Sequence, residues 1–197
     1  MAYFTKSEAR TAAARSRGLQ KSFGSDPGRI LKESVTAATA DDKFDVFLSH
    51  SIADAEIVLG IKQLLEENGL KVYVDWIEDA QLERRAVTKE TAAVLRQRMR
   101  QSKSLIYLSS GNSSSSKWMP WELGYFDGFM PDGVAIMPVL DSQTDTFKGQ
   151  EYLGLYPLVQ KDIYKDGRPD IFVEERGVRW STLKRFGSGQ PAWAKYS

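Results

Sequence analysis

A chain of 197 residues with 42% apolar content is long enough for one domain with a real core and an extension, and its net charge of +1 gives no electrostatic reason to expect nucleic acid or an acidic partner. The absence of cysteine excludes disulfides, thiolate zinc sites and cysteine nucleophiles, and the single histidine, His50, excludes multi-histidine metal centres, leaving only carboxylate magnesium sites open. No segment approaches the ~18 apolar residues of a membrane span, and the N-terminus lacks the apolar stretch of a signal peptide, so a cytoplasmic location is expected.

Residues 1–42 read as a basic helical arm. Up to position 21, Lys6, Arg10, Arg15, Arg17 and Lys21 face one acid, Glu8, and Ala- and Arg-rich helix formers fill Ser7 to Arg17. Gly24-Ser25-Asp26-Pro27-Gly28 is a break, and Arg29 to Val35 is a candidate second helix. The arm reads as loosely packed, or as a surface for self-association or a partner.

A folded domain is expected over 43–186. Phe44 to Leu48 is short and β-prone, and Ser49-His50-Ser51 follows as a loop. Ser51 to Asn68 carries Ile57, Ile61, Leu64 and Leu65 at helical spacing, with Ser51 as N-cap and Gly69 as terminator. Leu70 to Val74 is a second strand. Asp75 to Arg85 is a charged connection, and Val87 to Gln101 a basic helix. The basic stretch Arg84, Arg85, Lys89, Arg96, Arg98, Arg100 and Lys103 reads as a solvated face, or as a partner for Glu78, Asp79 or Glu83 of a neighbouring copy.

Ser104 to Leu108 is apolar enough for a central parallel strand. Ser109 to Ser116 is a small-residue loop, and Trp118 to Phe129 a helix with Pro120 in its first turn. Val134 to Leu140 and Leu158 to Ile163 are the last two strands, with a short helix within Gly149 to Tyr156. Asp170 to Phe186 reads as a closing helix weakened by Gly177, and 187–197 as a surface tail.

Strands alternating with helices imply an α/β fold: a flavodoxin-like, five-stranded parallel sheet of order 2-1-3-4-5, with helices on both faces. Ligands bind such sheets outside the carboxyl ends of the strands, where the order reverses between strands one and three. Those ends are Ser49-His50-Ser51 and Ser109 to Trp118. Trp118 and Glu122, four apart, project from one helix face beside that crevice. An indole and a carboxylate together suit a flat ring attached to a sugar that becomes cationic as the ring departs. Trp121 and Tyr125, also four apart, are expected to pack against the sheet.

Three motifs in order resemble a bacterial TIR (Toll/interleukin-1 receptor) domain: Lys43 to Ser51, Val72-Tyr73-Val74-Asp75, and Ser116-Lys117-Trp118-Met119-Pro120-Trp121-Glu122-Leu123. The resemblance covers about Lys43 to Phe186. It implies cleavage of NAD+ to nicotinamide and ADP-ribose or a cyclic isomer, with NAD+ as substrate and no cofactor. It also implies self-association through TIR–TIR contacts, a role in anti-phage defence, and a separate effector protein that senses the product. By this resemblance Glu122 is the catalytic carboxylate. Trp118 is a candidate to stack on nicotinamide, and Ser49, His50, Ser51, Asp75 and Ser116 are candidates to bind ribose or phosphate.

One segment departs from the family. Asp75 to Arg85 lacks the Arg-Asp-x-x-Pro-Gly of animal adaptor domains, which weakens the reading as a virulence factor that mimics host TIR domains. A non-enzymatic TIR–TIR scaffold and a nucleoside deoxyribosyltransferase-like enzyme, with a similar fold and a glutamate nucleophile, are the alternatives.

Overall fold

The computed structural model describes residues 1–19, 26–36, 39, 41–76 and 89–196. In chain order these form β1 (Phe4–Thr5), α1 (Lys6–Leu19), α2 (Pro27–Thr36), β2 (Phe44–Ser49), α3 (Ala55–Glu67), β3 (Val72–Val74), α4 (Lys89–Arg100), β4 (Ser102–Ser109), α5 (Met119–Phe129), β5 (Val134–Leu140), β6 (Leu158–Ile163), β7 (Pro169–Glu175), β8 (Arg179–Thr182), α6 (Leu183–Gly187) and β9 (Ala194–Lys195). The expected charged connection after Trp76, with Glu78, Asp79, Glu83, Arg84 and Arg85, lies outside the described residues.

The sheet runs β3-β2-β4-β5-β6-β7-β8-β9, with β1 added beside β5. Its first five members are the expected parallel strands in the expected order. The sheet does not stop at five. Its far side is antiparallel, built from β6 to β9.

That extension overturns the expected helix over Asp170 to Phe186. Phe172 and Val173 pair across to Thr182 and Ser181, and Gly177 takes the left-handed φ of 73° that a tight turn between strands requires. Ile171, Phe172 and Val173 are of strand-favouring types, and pairing with β6 fixes them as a strand. Only Leu183–Gly187 remains helical. The expected surface tail is also partly structured: β9 pairs with β8, and Trp193 packs edge-on to Phe186 beneath Arg179.

Two apolar layers sandwich the parallel strands. Because successive residues of a strand face opposite ways, Ile106 and Leu108 meet α1, α2, α3 and α6, whereas Leu105 and Tyr107 meet α4 and α5. Each helix supplies its own stripe, as Ile57, Ile61 and Leu65 do from α3.

The N-terminal segment is helical as expected, but it is not loosely packed. β6 pairs with β5 at one position only, Ile136 with Leu158, and then diverges. β1 enters the opening, pairing Phe4 with Val139 while Ala2 bridges Lys161. A reciprocal capping box turns the chain into α1: Thr5 N donates to Glu8 Oε2 (2.8 Å) and Glu8 N to Thr5 Oγ1 (3.3 Å). Burial pushes the Glu8 carboxyl up, but Lys161 and the Thr5 donors outweigh it and hold it below its ordinary value.

α1 then lies along α3, with Ala9, Ala12 and Ala13 buried. The approach is closest at Gly60, where an added Cβ would stand 1.8 Å from the Ala9 carbonyl oxygen. Gly60→Ala therefore sets two effects against each other. The intrinsic helical gain is about 1 kcal/mol, and overpacking against backbone costs about 1–3 kcal/mol. We expect a net loss of stability on denaturant unfolding; a stabilised variant would refute the close α1–α3 contact.

Candidate active site

The site forms where β2 and β4 end side by side. Ser49 closes β2, and its register partner on β4 is Tyr107. Ser49 Oγ donates to Glu122 Oε2 at 2.5 Å, across 73 residues of sequence. Glu122 sits in the first turn of α5, where the helix dipole favours negative charge, and is only 3% exposed. Its backbone N–H donates to the Trp118 carbonyl at 2.8 Å, which sets the two residues one turn apart.

The other residues singled out from sequence divide. Trp118 is buried in the apolar cluster of α5, with Met119 and Leu123, and meets Trp121 edge-on at 5.3 Å. Ser51 Oγ accepts from Ala53 N at 3.4 Å, capping a short 3-10 turn over Ile52–Asp54 ahead of α3. Ser116 is half-buried, and its Oγ accepts from Met119 N at 3.4 Å, serving the start of α5. Asp75 is buried just past β3 and acts on the Tyr73 hydroxyl.

His50 is turned to the opposite sheet face from Ser49. Its Nδ1 contacts the Leu48 carbonyl at 2.9 Å, and its ring stacks on Trp76 at 5.4 Å, in the α2/α3 layer. Alternation along the strand separates it from Glu122. Trp121 and Tyr125 lie at the edge of the α5 cluster and turn to α4 rather than to the sheet. They stack on each other at 5.7 Å, with Arg96 over Trp121 and Arg100 Nε donating to the Tyr125 hydroxyl at 2.7 Å. Those arginines belong to the basic stretch read as a solvated face; here they hold α4 to α5 through ring faces.

Sequence reading missed the clamp that holds the two strand-end loops together. Asp54 is buried, and accepts from Ser110 Oγ at 2.5 Å and Asn112 Nδ2 at 2.7 Å. The loop over Ser109 to Ser116 is thereby tied down; Ser113 Oγ also donates to the Ser110 carbonyl. Asp54 lies in the segment read as a helix start capped by Ser51, and that local reading concealed its long-range partners. The buried tyrosines Tyr73 and Tyr107 were also missed, because each reads as strand filler. Burial foremost holds both hydroxyls protonated, and the Glu122 charge adds to it in each. Among the described residues no three His, Asp or Glu side chains cluster as a metal site, and no helix is long and apolar enough to cross a membrane.

A TIR domain family model matches residues 46–167, a span that runs from within β2 past the end of β6 and includes the Ser49–Glu122 pair. The chain belongs to the TIR domain family. Two bacterial relatives add detail. A protein of Bacillus cereus (strain MSX-D12) is 51% identical over 150 residues, covering 74% of this chain and 77% of its own length. It is named as a 3' cyclic ADP-D-ribose synthase, ThsB', and that name is itself qualified as probable. A protein of Cytobacillus dafuensis named, with similar reserve, as a cyclic ADP-D-ribose synthase, TIR2, is 35% identical over 83 residues, covering 42% of this chain and 22% of its own.

The clamp gives a direct test. Asp54→Ala leaves Ser110 and Asn112 without their charged acceptor, and hydrogen bonds to a charged group are worth about 1.5–3 kcal/mol each. We expect a stability loss of about 2–3 kcal/mol, together with faster amide exchange over 110–116. Unchanged exchange in that loop would show that the clamp does not order it.

Proposed function

We propose that this TIR domain cleaves NAD+, releases nicotinamide, and joins the remaining ADP-ribose into a cyclic isomer. The observation that carries the reading is the Ser49–Glu122 contact: a buried carboxylate held at the switch point of the sheet. The names of the two relatives favour a cyclic over a linear product.

The chemistry needs one carboxylate. The nicotinamide of NAD+ is already a cationic pyridinium. When its bond to the ribose breaks, the electron pair goes to the ring nitrogen and nicotinamide leaves neutral, with no proton required. The acid/base carboxylate pair of ordinary glycosidases is therefore unnecessary. Positive charge develops on the ribose, and a fixed carboxylate where that charge appears lowers the barrier. Glu122 fills this role. A nucleophilic atom from the adenosine half of the same molecule then adds to the cationic carbon and loses its proton, closing the ring; water adding instead gives linear ADP-ribose. Ring closure requires water to be kept out, and the buried setting of Glu122 favours that.

Ser49 orients Glu122 and is positioned to yield its place to a ribose hydroxyl. Trp118 forms the apolar wall beneath, and Asp75 and Ser116 border the same strand ends. Action inside bacterial cells in anti-phage defence, with a separate effector that reads the product, belongs to the same proposal. So does self-association through TIR–TIR contacts: nicotinamide release that rises more steeply than linearly with protein concentration is expected, and strict proportionality would count against assembly.

The central experiment is incubation with NAD+ and separation of products by chromatography and mass. Wild-type protein should release nicotinamide and a product one water lighter than ADP-ribose. Glu122→Ala should reduce turnover by at least about 10²-fold, the scale of removing one charge-stabilising group. Equal release from both proteins would remove Glu122 from its role.

A further inference from the structure

One buried titratable group beside Glu122 has no part in the mechanism above. Tyr107 is the register partner of Ser49 in the parallel β2–β4 pair, so the two side chains stand next to each other on the α5 side of the sheet. The Tyr107 ring is fully buried in the cluster that includes Phe47, Phe126 and Ile136. Its hydroxyl is buried as well and makes no hydrogen bond among the described residues. The Tyr152 hydroxyl lies close enough to interact with it, at a geometry short of an ordinary hydrogen bond, and itself donates to Gln150 Oε1. Burial first, then Tyr152 and the Glu122 charge, keep the phenol protonated.

A buried hydroxyl without a partner is rare and destabilising, and phenylalanine would fill the same space without that cost. Tyr73, the other tyrosine within reach of the Glu122 charge, has the Arg98 guanidinium over its ring at 5.5 Å. Tyr107 stands one strand across from the group that holds Glu122. A carboxylate offers about four acceptor positions. A donor rooted in the sheet can therefore hold it from behind while it meets a sugar in front.

We propose that Tyr107 is a positioning residue: its hydroxyl takes hold of the Glu122 carboxylate when that group turns from Ser49 to the bound ribose. This rests on the assignment of Glu122 as the carboxylate that faces the ribose. The stability lost to an unpartnered hydroxyl in the free protein is recovered in the complex, where the hydrogen bond fixes the carboxylate in its working geometry.

The test compares full-length wild type, Tyr107→Phe and Glu122→Gln, following nicotinamide release from NAD+ across the acid range together with thermal unfolding. Tyr107→Phe should melt higher, by a few degrees, because it removes a buried unsatisfied group. It should also lower kcat about tenfold, the worth of one hydrogen bond, with KM little changed. Loss of a donor disfavours the ionised carboxylate, so the acid limb of kcat should move to higher pH. The acid limb of kcat/KM reports the free enzyme and should stay. Wild-type kcat and an unmoved limb in Tyr107→Phe, with Glu122→Gln inactive, would overturn the positioning role and leave the Glu122 assignment standing. A lowered melting temperature with a matching loss of rate would assign Tyr107 to packing and overturn the role as well. Wild-type release by Glu122→Gln would instead overturn the reading on which the proposal rests.

Discussion

A carboxylate can remain buried only where donors converge on it, and the Ser49–Glu122 hydrogen bond is the point from which the rest of this structure is organised. Glu122 comes from a helix and Ser49 from a strand end, so the bond forms only if α5 is seated correctly over β2 and β4. That seating has visible causes. Met119, Leu123 and Phe126 fill the apolar layer beneath α5, while Trp121, Tyr125 and Phe129 bind it sideways to the arginines of α4. Each ring–cation contact is worth about 0.5–1 kcal/mol at an exposed site, modest singly, but the set spans the length of α5. Error in the placement of Glu122 is thus resisted from below and from one side.

The second constraint is the distance between the loops that leave β2 and β4. Neighbouring parallel strands lie about 4.8 Å apart, and a crevice between them is useful only if the loops above keep one spacing. Asp54 sets it, reaching from the turn after β2 to Ser110 and Asn112 after β4. The first residues of the chain brace the same end of the sheet from further along. β1 fills the gap where β6 leaves β5, and Lys161 of β6 pairs with Glu8 of α1. What reads as an appendage is part of the sheet and of one helical layer.

Legibility followed the range of the interactions involved. Helices and strands with strong periodicity, such as α3 with Ile57, Ile61 and Leu65 or the apolar run of β4, could be read because their period reports which face is buried. The hairpin of β7 and β8 could not. Its Ile171-Phe172-Val173 run is of strand-favouring types but too short for its period to report a buried face, and it becomes a strand because β6 offers an edge. Alanines of α1 suggested a helix but not its partner; Gly60, far along the chain from Ala9, carried the complementary half of that contact. At the site, Glu122 and Ser49 could be named in advance, whereas His50, one residue on, was turned away by the alternation of the strand.

The sequence by itself determined the parallel five-strand order, the two strand ends that make the crevice, and the presence of a carboxylate at the start of the helix beside it. These follow from periods of 2.0 and 3.6 residues and from the handedness of crossovers, which are local or nearly so. Only the tertiary structure decided that Ser49 donates to Glu122, that Asp54 clamps the loops, that the Tyr107 hydroxyl one strand away makes no hydrogen bond among the described residues, and that the sheet those residues form grows to nine strands. Each of these joins side chains or strands through their placement in the packed sheet, and no local pattern in a chain specifies which polar groups will face one another once its core has closed.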